Sequence, residues 1–135
     1  MPIVTWHDDF SVNVNEIDKQ HQRMLELVNA LHASVEACAD KRDLQKMLVA
    51  LVDFTRLHFS TEEKLMKEHH YPGLASHYKE HRVLLQHMDN LVKAVADGQY
   101  PTFYSDYDVS SDWALDHIAG CDKALGSFLN TKGIY

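Results

Sequence analysis

Residues 40–65 read DKRDLQKMLVALVDFTRLHFSTEEKL, and the spacing within this stretch decides the fold. Leu44, Leu48, Leu51, Phe54, His58 and Leu65 recur at intervals of three, four or seven, the repeat of one face of an α-helix. Asp40 precedes the run as an N-cap, Asp43 falls in the first turn, and Tyr71-Pro72-Gly73 stops it. The same periodicity predicts a helix from about Ile17 to Cys38, with Ile17, Met24, Leu25, Val28, Leu31 and Val35 on one stripe. A third helix is predicted from about Leu74 to Asp97-Gly98, where Gly98 suits a left-handed C′ position. After a loop through Pro101 a fourth covers about Ser110 to Asn130, carrying Trp113, Ile118, Leu125 and Phe128, with Gly133 beyond its end. No Val/Ile/Thr-rich alternating segment is bounded by hairpin signals. The prediction is an all-α, antiparallel, up-down-up-down four-helix bundle in which the first sixteen residues form an arm.

At 135 residues the chain has about the modal size of one domain, so residues 1–135 are expected to fold around a single core. A formal charge of -7, from 20 acidic against 13 basic residues, argues against nucleic acid or an anionic membrane as partner, since both need clustered Lys and Arg. The longest apolar run, Met47 to Val52, is far shorter than the roughly 20 residues that span a bilayer, so no membrane insertion is expected. The first nine residues lack the basic and apolar regions of a secretory signal, and a cytoplasmic monomer is the simplest expectation. Cys38 and Cys121 form no C-x-x-C motif and are expected to be small buried hydrophobes. Ten histidines, by contrast, are far more than a chain of this length usually carries.

Five of them, His21, His58, His77, His81 and His117, fall on or beside the apolar faces. Glu62 follows His58 by four residues, and His81 follows His77 by four. At about 100° per residue such a pair is only about 40° apart around the helix, so both members reach one inward point. Asp122 follows His117 by five, an α-helical step of about 140° that requires Asp122 to lean inward or the helix to widen into a π turn. One histidine on an apolar face is more often a hydrogen-bonded core residue than a ligand. Five imidazoles and two carboxylates in so small a bundle would cost several kcal/mol per uncompensated charge, roughly, and metal coordination is the natural compensation. Imidazole and carboxylate without thiolate fit iron, manganese or zinc, and seven donors exceed the four of a structural zinc site, so two metals are implied. If Glu62 and Asp122 each bridge both ions and a solvent oxygen bridges too, three histidines complete six-coordination on one ion. The other two leave the second ion with an open position.

These residues carry a resemblance. The segments Ile17-Asp18-Lys19-Gln20-His21-Gln22 and His58-Phe59-Ser60-Thr61-Glu62-Glu63 are two parts of the pattern. His77-x-x-x-His81 and Trp113-x-x-x-His117-Ile118-x-x-x-Asp122 complete it. Together they resemble the hemerythrin signature over essentially the whole chain, and Trp6 with Phe10-Ser11-Val12 resembles the bacterial members. The resemblance implies a non-haem centre of two iron ions with a bridging oxo or hydroxo group that binds O₂ reversibly. His77, His81 and His117 would hold the six-coordinate iron, His21 and His58 the open one, and Glu62 and Asp122 would bridge. Trp113, Ala114 and Ile118 would border the O₂ pocket. Related sequences usually carry Leu where this chain has Ala114, which implies a wider path to the pocket and faster autoxidation.

The other candidates have plainer explanations. Glu63 is rotated about 100° from Glu62 and is expected to be solvated. His69 and His70 end the second helix, His32 and His87 are expected on partly exposed faces, and the His7-Asp8 dipeptide lies in the arm. Trp6, Phe54, Phe59, Tyr78 and Trp113 read first as core. An O₂ carrier, store or supply protein serving a downstream acceptor is the leading function, not an enzyme. Ferritin-like di-iron enzymes use Glu-x-x-His pairs, and none occurs in this sequence. An iron, O₂ or redox sensor would use the same site, but the chain ends soon after the fourth helix, so stand-alone binding is expected.

Overall fold

The computed structural model describes residues 5–99 and 117–135. After a short 3-10 turn at Asp8–Phe10 come α1 (Asn15–Glu36), α2 (Lys41–Glu68) and α3 (Leu74–Ala96). A π turn at Ile118–Asp122 then leads directly into α4 (Lys123–Thr131). Among the described residues there is no strand, and the architecture is an all-α bundle. The helix boundaries follow the local chemistry. Asp40 caps α2 by accepting from the Arg42 amide at 2.7 Å. Gly98 closes α3 at φ +95°, donating its amide to Val95.

The core is built in two apolar layers with a polar layer between them. In one, Val28 and Leu31 of α1 meet Leu44, Leu48 and Leu51 of α2 and Met88, Leu91 and Val95 of α3. The late part of α1, the early part of α2 and the late part of α3 therefore lie together, as antiparallel neighbours require. In the other, Ile17 of α1 and Met66 of α2 pack with Ile118, Leu125 and Leu129. On each of α1, α2 and α3 the inward histidines lie in sequence between these layers, so the fold holds them at one level.

The arm belongs to the second layer. Val12 and Val14 are buried there, and a Cβ on Gly126 would lie 2.2 Å from the Val12 carbonyl oxygen, so only glycine permits this approach. Asp18 fastens the arm, accepting from the Val12 amide at 2.8 Å and from the Ser11 hydroxyl. Two expectations about packing are corrected. Cys38 is exposed, because α1 ends at Glu36 and leaves it in the tight turn to α2 with φ +54°. Tyr78 is 40% exposed on the outer side of α3.

Candidate metal centre

The polar layer contains His21, His58, Glu62, His77, His81, His117 and Asp122, every one buried. α1 supplies His21, α2 His58 and Glu62, α3 His77 and His81, and the last helical segment His117 and Asp122. All seven residues expected from the sequence thus converge. The five-residue step from His117 to Asp122 is resolved by the π turn between them: closing the backbone on i→i+5 bonds returns the fifth residue to nearly the same face.

The two carboxylates divide their oxygens between two sets of imidazoles. Glu62 Oε1 lies 3.0 Å from His81 Nε2 and 3.4 Å from His77 Nε2, while Oε2 lies 3.2 Å from His58 Nε2 and 3.8 Å from His21 Nε2. Asp122 Oδ1 lies 3.0 Å from the Nε2 atoms of both His77 and His117, while Oδ2 lies 2.8 Å from His21 Nε2. Donor atoms of Glu62, His77, His81, His117 and Asp122 all lie within 4.8 Å of one another, as do those of His21, His58, Glu62 and Asp122. Both sets contain both carboxylates. The Nε2 atoms of His58, His77, His81 and His117, both Glu62 oxygens and Asp122 Oδ1 are buried without an aligned hydrogen bond. Buried polar atoms at this density demand a partner, and a pair of cations shared through the carboxylates would satisfy them.

Electrostatics point the same way. Burial opposes ionisation of Glu62, yet His58, His77 and His81 outweigh it and hold the carboxyl well below its usual range. Burial and Glu62 likewise oppose ionisation of Asp122, and His117, His21 and His77 overcome both and lower its pKa. Burial alone would lower the pKa of His77, but Asp122 and Glu62 raise it to about 9. His117 is raised in the same manner by Asp122, with Glu80 and Glu62 assisting.

Three of the imidazoles are held from behind. His58 Nδ1 donates to Gln20 Oε1 at 2.7 Å, His81 Nδ1 to Glu63 Oε2 at 2.9 Å and His117 Nδ1 to Glu80 Oε1 at 2.7 Å. A proton on Nδ1 leaves the Nε2 lone pair free to face the centre. Glu63 is therefore not the solvated residue its rotation predicted: its side chain is 20% exposed and reaches across to α3. Gln20 and Glu80 were not singled out by the sequence. Each of the three directly flanks a proposed ligand on its own helix and serves a histidine on the next, a signal of sequence adjacency that helix-face reasoning discards. Cys121 is also corrected. It is half-buried, and its thiol donates to Glu80 Oε2 at 2.8 Å. Burial and the neighbouring Glu80 push the thiol up to about 12, so it remains a protonated donor.

Phe59 closes one side of the cluster, stacked on His81 with ring centroids 3.7 Å apart. Ile118, expected at the O₂ pocket, is buried next to His117, whereas Trp113 and Ala114 lie outside the described residues.

An α-bundle with a buried layer of histidines around two shared carboxylates defines a metal-binding helical protein. Comparison with known proteins makes the class definite. The family model described as Hemerythrin HHE cation binding domain matches residues 12–129. A bacteriohemerythrin of Stenotrophomonas maltophilia is 31% identical over 131 residues, covering 92% of this chain and 80% of that protein. A bacteriohemerythrin of Methylococcus capsulatus is also 31% identical over 131 residues, covering 96% and 99%. A crystal structure of wild-type hemerythrin superposes with a TM-score of 0.81 at 30% identity, covering 93% of this chain and 97% of that one. The chain belongs to the hemerythrin family, and its His/Glu/Asp cluster suits a di-iron site.

Proposed function

We propose that the protein binds O₂ reversibly at a di-iron centre, as a carrier, store or supply protein for a downstream acceptor. His77, His81 and His117 are assigned to one iron and His21 and His58 to the other, with Glu62 and Asp122 bridging. The observation that carries this reading is the division of each carboxylate, one oxygen toward each histidine set. When bound, the iron pair supplies the electrons for reversible O₂ binding. The chain does the rest: five imidazoles and two carboxylates fix the positions, and the apolar layers on either side keep bulk water away.

With three histidines against two, the His21/His58 side would be the one open to a small ligand when iron is bound. Ile118, Trp113 and Ala114 are assigned to the O₂ pocket, the last two from sequence resemblance alone. A histidine-rich donor set carries less negative charge than the carboxylate-rich sets of di-iron oxidases, which favours binding over oxidation. An oxygen electrode distinguishes the two. The ferrous protein is expected to take up O₂ to a fixed stoichiometry and release it under vacuum. Continuous consumption of O₂ with a reductant and an oxidisable substrate would instead mark an enzyme.

A further inference from the structure

The residues behind the imidazoles are not equivalent, and the difference follows the division of the cluster. On the three-histidine side His81 and His117 each donate Nδ1–H to a carboxylate, Glu63 or Glu80. On the two-histidine side His58 donates to the amide oxygen of Gln20, which is neutral. The Nδ1 atoms of His21 and His77 have no hydrogen-bond partner among the described residues. Among the described residues, negative charge behind the imidazoles is therefore confined to one side.

Two of the three supports are held in turn. Gln20 Nε2 donates to Thr61 Oγ1 at 3.2 Å, and the Thr61 hydroxyl donates to the Leu57 carbonyl at 3.1 Å. Glu80 is clamped at its second oxygen by the Cys121 thiol. The Glu63 side chain is 20% exposed, against 41% for Glu80.

A carboxylate that draws on the Nδ1 proton makes the imidazole a stronger donor at Nε2, and a stronger donor stabilises the more highly charged metal. An amide oxygen fixes the ring with much less of this effect. We propose that Glu63 and Glu80 are positioning residues that enrich the three-histidine ion in electron density, while Gln20 orients His58 without doing so, so that the two ions of the centre are held at different redox potentials. This rests on the di-iron reading above. Glu63 carries the larger share, because it is less exposed and its charge is less screened.

The test compares E63Q, E80Q and Q20E, each close to isosteric, in the iron-reconstituted full chain, with iron content and midpoint potential read by spectroelectrochemistry. E63Q is expected to retain two irons per chain and to favour the ferrous form about tenfold, a shift of about 59 mV for a one-electron couple. E80Q should shift in the same direction by less, and Q20E in the opposite direction. A purely structural role would leave the potential unmoved. Unchanged potentials in the fully loaded glutamine variants overturn the proposal, and so does loss of iron from E63Q and E80Q, which would make the carboxylates necessary for assembly and not for tuning. Failure of the unaltered chain to bind two irons would instead overturn the di-iron reading itself.

Discussion

His117 and Asp122 stand five residues apart on one helical segment, yet His117 Nε2 and Asp122 Oδ1 are 3.0 Å apart. The π turn at Ile118–Asp122 makes this approach possible, and its cost in regular helix geometry is met where a buried carboxylate must face two sets of imidazoles at once. Asp122 is in this sense the keystone of the cluster, within 3.0 Å of His21, His77 and His117.

Asp122→Ala is expected to reduce iron from two per chain to at most one, because it removes one of the two shared ligands and leaves two cations facing each other. Metal analysis after anaerobic reconstitution reads this directly. Full iron content in this variant would show that Asp122 is not a bridge.

Gly126→Ala tests how the arm is held. The added methyl would meet the Val12 backbone, which cannot swing aside as a side chain would. A loss of about 1–3 kcal/mol in denaturant unfolding is expected, the usual cost of overpacking. Unchanged stability would mean that Val12 does not pack on α4.

Leu48→Ala separates stability from the site. Leu48 is fully buried in the apolar layer away from the arm, and its truncation should cost roughly 2–5 kcal/mol. Iron content at saturating metal should be unchanged, since His21, His58 and His81 lie in another layer. Loss of iron parallel to loss of stability would contradict a layered core.

Much of this was legible in the sequence because burial leaves a periodic trace. The stripe from Leu44 to Leu65 specified α2, and Asp40 and Gly98 marked helix ends by capping chemistry. The seven inward donors were legible because polar residues on an apolar face are rare. The irregular step to Asp122 called either for that residue to lean inward or for the helix to widen, and the π turn is the second of these. Glu63, Glu80 and Gln20 were not legible, because their partners lie on neighbouring helices and only the packed interface reveals them. Cys121 was misread for a related reason: its role depends on Glu80, 41 residues earlier in the chain.

The metal-free protein should show a defined pH dependence. The folded pKa of His77 is raised from 6.5 to about 9, so its stabilising contribution is complete below 6.5 and is lost as pH rises from there through 9. Glu62 and Asp122 are lowered from 4.5 and 3.8, so theirs is present above those values and is lost as pH falls through the folded pKa values. Urea stability without metal is therefore expected to be greatest between about pH 4.5 and 6.5. Iron affinity should rise from pH 6.5 to 9, because ligation requires neutral imidazole. A metal-free stability that rises over that upper range would contradict the assigned coupling of His77 to Asp122 and Glu62.

The most direct test of a centre built on shared carboxylates is an anaerobic titration of the metal-free chain with Fe(II), followed by admission and removal of O₂ while the absorption spectrum is recorded. The titration is expected to break at two irons per chain, with an O₂-dependent absorption that appears only in the fully loaded protein and disappears when O₂ is withdrawn. A break at one iron per chain, or an absorption change that does not reverse, would contradict it.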